Sequence, residues 1–282
     1  MRYQMSASTA IESHQKTRFL PREHGATAML LTSLVCAAII AREWRWSELV
    51  TLIAAIAALA AKDPMVVLAR QRFVWKQRHP ETAAAMQWLA GWILILILCG
   101  LALVATWPLA TIVVLGLGVF GFSALAVVTN VKNRQRSTLF QILSAAALTS
   151  SSLAVSISAT GSIARWCGWL WLLMTLQATA GILVVHARLD ARIASRGTAR
   201  ASEVYRRAAQ GALSVLAAAG IAAAILEHAW IALALLVVVA GYGYDLRAQR
   251  KGVSLQIPLK KVGQRALALS SLYAVLLIIG LW

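Results

Sequence analysis

Apolar residues run along this chain in nine blocks, over 25–41, 47–69, 86–106, 109–130, 139–160, 165–186, 208–227, 229–245 and 264–281. A helix needs about 20 mostly apolar residues to cross the hydrocarbon layer, and each block comes close to that length. Strands of a membrane barrel would be near ten residues with alternating polarity, and the blocks show neither feature. The pattern therefore predicts an all-α fold, a polytopic membrane helix bundle of about nine transmembrane helices. Residues 21–282 form a single helical domain in this reading, and polar residues 1–20 a flexible cytoplasmic tail. The tail has no apolar core or small-residue cleavage site, so the first span is expected to act as an uncleaved insertion signal.

The connections fall into two kinds. Trp107-Pro108 and Glu227-His228 make tight turns, and residues 42–47 and 160–165 are only slightly longer. Residues 70–85, 187–207 and 246–263 are long, polar and basic. Of 27 Lys and Arg residues, only Arg42, Arg45 and Arg165 sit at the odd-numbered connections; apart from Lys62 and Arg265, which lie within spans, the others gather in the tail or at the even-numbered ones. Cytoplasmic loops are enriched in Lys and Arg, which places the N-terminus inside and the C-terminus outside. Trp44, Trp46, Trp107, Trp166, Trp169, Trp230 and Trp282 cluster toward the opposite, outer edges, where amphipathic rings suit the headgroup level. A working site would then face the cytoplasm.

Composition sharpens this picture. Hydrophobic residues make up 60% and charged residues 13%, against roughly 25% charged in a soluble domain. The formal net charge of +17 is explained by basic flanks facing anionic inner-leaflet lipids, so the bilayer and not nucleic acid is the expected partner. Cys36, Cys99 and Cys167 are far apart and lack metal-ligand spacing, which makes them small apolar residues. Small residues such as Gly116, Gly118, Gly121 and Ser150–Ser152 recur inside the spans and allow close helix approach. No nucleophile elbow, Walker loop or HExxH motif occurs.

Ionisable groups at membrane depth are functional candidates by default, and five clusters stand at the inner face. Pro21-Arg22-Glu23-His24-Gly25 opens the first span, with Glu23 and His24 as interfacial anchors, proton carriers or metal ligands. Lys62-Asp63-Pro64 lies in the second; Pro64 is expected to kink or restart the helix, with Asp63 as a cap. Arg70, Arg72, Lys76 and Arg78 alternate with Phe73, Val74 and Trp75, as in a helix lying on the inner leaflet. Asn130–Arg136 carries Lys132, Arg134 and Arg136, a stop-transfer flank or a phosphate-binding turn. His186 and Asp190 are four apart and share a helix face, while Arg188 and Arg192 offer Asp190 surface ion pairs. Tyr242-Gly243-Tyr244-Asp245 closes the eighth span, with Asp245 next to cations at 247–261.

The run Pro21-Arg22-Glu23-His24-Gly25-Ala26-Thr27-Ala28-Met29-Leu30 resembles the Pro-x-x-His-Gly-Ala-x-Ala-Met signature of the YwiC-like family of bacterial membrane proteins. That resemblance implies a multi-pass protein of the bacterial cytoplasmic (inner) membrane. The layout is also distantly similar to the UbiA superfamily of intramembrane prenyltransferases, through Val128–Gly161 and Trp169–Arg196. This similarity implies nine spans, an inner N-terminus and a cavity open toward the cytoplasm. It further implies two Asp-rich motifs holding Mg²⁺ on a prenyl diphosphate. Here Asp63 alone stands in the first motif, and His186 with Asp190 in the second. Mg²⁺ prefers several oxygen ligands, so this is a poor two-Mg²⁺ site. The expectation is a cavity for an isoprenoid or other anionic lipid, bound or transferred. Arg70, Arg72, Lys132 and Arg134 would contact phosphate, and Glu23, His24, Asp63, His186 and Asp190 would form a polar cluster. Asp63, His186 and Asp190 are the metal-ligand candidates of that cluster. A transporter or a non-catalytic assembly protein is the alternative.

Overall fold

The computed structural model describes residues 24–77, 80–134, 137–195, 203–250 and 255–282. Among these the chain forms ten α-helices and no strands. They are α1 (His24–Ala41), α2 (Trp46–Arg70), α3 (Thr82–Val104), α4 (Leu109–Val131) and α5 (Thr138–Thr149). Then follow α6 (Ser151–Thr160), α7 (Arg165–Ala194), α8 (Glu203–Ile225), α9 (Ala229–Ala248) and α10 (Leu259–Leu281). Eight segments are long and apolar enough to cross a membrane, α5 and α6 together making one, and Gly25–Ala41 is a shorter apolar helix. The chain is an integral membrane protein.

Each predicted span is helical, and three local features differ from the sequence pattern. The span over 139–160 is broken at Ser150. The Thr149 hydroxyl donates to the Ala145 carbonyl at 2.9 Å, that of Ser150 to Ala147 at 2.7 Å, and that of Ser152 to Thr149 at 2.9 Å. Three hydroxyls within four residues thus bind helix carbonyls, which bends helices. At Pro64 the opposite holds. The helix does not restart there, and α2 runs unbroken through a buried Pro64, so Asp63 caps no new segment. In membrane helices, neighbouring groups re-satisfy the carbonyl that proline leaves. Third, Gln71–Trp75 is a π-helical continuation of α2 that ends at Lys76 (φ 53°), and not a separate helix.

Helix α1 is central. It packs on α5, α6, α7 and α10 as well as on α2, and Leu34, Cys36, Ala37, Ala38 and Ile40 are all buried. Alanines on two faces let neighbours close in from both sides. Helices α7 to α10 pack on one another, with α7 and α10 against α1, whereas the α3–α4 hairpin packs chiefly on α2. At the short-turn end, Ser47, Thr51 and Ser158 tie α2 to α6. The Ser47 hydroxyl donates to the Ser158 carbonyl at 3.1 Å, and the Thr51 and Ser158 hydroxyls lie 2.7 Å apart. Arg42 closes that end against the C-terminus, donating to the Trp282 carbonyl at 2.9 Å with its guanidinium 4.7 Å above the Trp282 ring.

Candidate functional site

A cavity of about 330 Å³ opens among α1, α5, α7, α9 and α10. Helix α7 supplies one wall from Met174, Gln177, Ala178, Gly181, Val184, Val185 and Arg188, a three-and-four spacing that keeps one stripe of the helix on the cavity. Helix α9 adds Tyr242, Asp245 and Gln249, again one stripe, and α10 adds Val262, Gly263, Ala266, Leu267, Ser270 and Tyr273. Gly25, Ala28, Met29 and Thr32 of α1 and Gln141 and Thr149 of α5 complete it. The cavity lies toward the end of the bundle that carries the start of α1, α5 and α10 and the close of α7 and α9.

Charge is concentrated at this mouth. Arg188 is only 4% exposed, although it sits near the end of a 30-residue helix. Asp245 lies in the field of Arg188 and Arg265, so two cations face one carboxylate. Buried Gln249 braces α9 against α7, its amide donating to the Val184 carbonyl at 3.2 Å. The rest of the wall is mostly apolar. A second polar group closes the floor near mid-helix. Gln177 donates to the Tyr242 hydroxyl and to the Ser270 hydroxyl, both at 2.8 Å. Beside it Thr149 and Thr175 share a hydrogen bond of 2.9 Å, and Tyr273, almost wholly buried, donates to the Leu173 carbonyl at 3.0 Å. Gly181 makes room for this floor, since a Cβ there would come within 2.7 Å of the Tyr242 hydroxyl.

Of the residues the sequence assigned to the polar cluster and to phosphate contact, none that is described lines the cavity. Glu23 lies outside the described residues, as does the side chain of His24, whose backbone opens α1. Asp63, His186 and Asp190 do not line the cavity. His186 Nε2 pairs with Gln141 Oε1 at 2.9 Å, and its ring stacks on Tyr205 at 5.0 Å, joining α5, α7 and α8; Asp190 acts on it electrostatically. Arg70, Arg72, Lys132 and Arg134 gather at the ends of α2 and α4, with Arg70 donating to the Asn130 carbonyl at 3.2 Å. They too are apart from the cavity lining. Among the described residues no three His, Cys, Asp or Glu side chains come together. The donors among the described residues do not make a two-Mg²⁺ centre.

Sequence reasoning did not join Arg188 to the cavity. It read Arg188 as a surface partner of Asp190 and Asp245 as a partner of the cations after it. The available signal was Gln177, a lone amide at mid-span on the same stripe as Gly181 and Arg188.

Three positions of the opening signature, Gly25, Ala28 and Met29, are part of the wall, which connects that motif to the cavity. A family model described as YwiC-like protein matches residues 20–157. Over that stretch the chain is similar to that family. The match takes in the walls from α1 and α5, while those from α7, α9 and α10 lie beyond it. No curated protein and no solved structure matches the chain.

Proposed function

We propose that this YwiC-like protein of the bacterial cytoplasmic membrane binds, and presents for transfer, an isoprenoid or other anionic lipid. Its N-terminus is inside, so the cavity faces the cytoplasm in a UbiA-like arrangement of nine spans. The supporting observation is Arg188, buried at the mouth of a largely apolar cavity and facing Asp245. A buried guanidinium is costly at membrane depth unless partners use it, and its planar fork suits carboxylate or phosphate. With Arg265 beside it the mouth keeps a surplus of positive charge, while the cavity wall suits hydrocarbon. Arg70, Arg72, Lys132 and Arg134 draw anionic headgroups to the same face. Asp63, His186 and Asp190, with Glu23 and His24, serve as proton or single-cation carriers in this reading.

Mass spectrometry of lipids retained by protein purified in mild detergent tests this. One anionic lipid class is expected to be enriched over the membrane extract, and to be depleted at least tenfold in Arg188→Met. Arg70→Ala with Arg134→Ala is expected to lower the total without changing the class. A profile equal to the membrane extract in wild type and Arg188→Met alike would overturn the reading.

A permease is the second reading, favoured by the depth of the polar floor. Gln177, Tyr242 and Ser270 sit near mid-helix, the level at which transporters bind substrate. Uptake or efflux of a water-soluble anion by reconstituted protein, with no lipid retained, would select it.

A further inference from the structure

The floor of the cavity carries information that the mouth does not. Gln177, Tyr242 and Ser270 all line it, and two hydrogen bonds hold them together. An amide brings two N–H donors and each hydroxyl brings one. Tyr242 and Ser270 also lie within hydrogen-bonding reach of each other, so internal bonds use at most three of these four hydrogens. At least one remains, also if the Gln177 amide is turned over, because the hydroxyls then donate to its oxygen and the N–H pair is left. Tyr242 is buried, Gln177 nearly so, and their surroundings are apolar, so donors left unmatched there are costly. A plain hydrocarbon tail cannot satisfy them.

We infer that the cavity is two-tiered, and takes an amphiphile whose anionic end lies at Arg188 and whose buried part carries a neutral oxygen acceptor, of carbonyl or ether class, received by the Gln177–Tyr242–Ser270 group. The inference rests on the lipid-binding reading and narrows its ligand. The eleven-residue separation of Gln177 and Arg188 on α7 sets the two tiers roughly 16 Å apart at about 1.5 Å per residue. Side chains shorten that span, so the acceptor belongs in the middle of a chain and not next to the headgroup. Gly181 is part of the device. Any side chain there would meet the Tyr242 hydroxyl at 2.7 Å and its ring carbon at 3.2 Å, pushing the phenol out of register with Gln177.

Equilibrium binding of two probes to the full chain in mild detergent tests this: stearate, and stearate bearing a mid-chain keto group. Both have the same anionic end and the same length. Wild type is expected to prefer the keto probe by roughly three- to tenfold, the scale of a hydrogen bond. Gln177→Leu with Tyr242→Phe, and Gln177→Leu with Ser270→Ala, each remove three of the four hydrogens and are each expected to lower that preference. Gly181→Ala, which retains every polar group, should do the same by displacing the phenol, so loss of folding in one variant leaves the others decisive. Equal affinity for both probes in wild type, abolished by Arg188→Met, would overturn the two-tier inference and leave the lipid-binding reading standing. Failure of wild type to bind either probe would overturn both.

Discussion

Glycines separate into two kinds in this protein, and substitution tells them apart. At Gly280 a Cβ would lie 2.8 Å from Ile231 Cγ1 and 3.1 Å from both the Ile231 backbone nitrogen and Trp230 Cβ. Backbone cannot yield as a flexible side chain does, so α9 and α10 must part. Gly280→Ala is expected to destabilise by about 1–3 kcal/mol, the usual range for overpacking. At Gly118 nothing lies within 4 Å, and Gly118→Ala should be neutral or slightly stabilising, since alanine favours the helix by about 0.5–1 kcal/mol. Thermal unfolding of the two variants in one detergent checks the contrast. Gly181 belongs with Gly280 in its crowding, but its neighbour is the Tyr242 hydroxyl, which links a packing residue to the proposed ligand floor.

Between elements, hydroxyls hold the bundle where charge would be too expensive. Ser33 and Ser151 share a bond of 2.8 Å between α1 and α6, and Ser151 also reaches the Leu30 carbonyl at 3.1 Å. Ser33 has local carbonyl acceptors at Met29 and Leu30 as well, so neither partner is stranded when the other is removed. A double-mutant cycle of Ser33→Ala and Ser151→Ala is expected to give a coupling near 0.6 kcal/mol, as interhelical polar pairs in membranes do on average. A coupling of zero would mean that packing alone joins the two helices. Hydropathy was enough to find the spans of these elements, because the bilayer forces every backbone polar group into a helix. It could not foresee the break at Ser150 or the passage through Pro64. Both depend on what neighbouring helices offer to freed carbonyls, which periodicity along one chain does not encode. The site was harder still. Tyr242 and Asp245 stood out as one cluster, but their meeting with Gln177 requires α7 and α9 to pack face to face, and Arg188 was misplaced because an i,i+2 neighbour looked like its partner. In a helix such neighbours point apart, and Arg188 turns inward to α9 and α10.

For the whole molecule, orientation is the property from which the proposed function follows, and α7 gives the means to measure it. This helix spans 30 residues without a break, about 45 Å at a rise of about 1.5 Å per residue, well beyond the hydrocarbon thickness of about 30 Å. Its two ends must therefore lie on opposite sides of the bilayer. Ser162 before it and Ser195 after it are both exposed, whereas Cys36, Cys99 and Cys167 are buried. Native thiols are thus expected to stay silent toward a membrane-impermeant maleimide added to whole cells. Ser162→Cys is expected to label at once, and Ser195→Cys only after the membrane is opened. The reverse order would turn the basic mouth outward, away from the anionic cytoplasmic leaflet, and Arg188 and Arg265 would then face the wrong pool of ligands. Labelling of both from one side would contradict the single crossing by α7, and with it the wall that carries Gln177, Gly181 and Arg188 into one cavity.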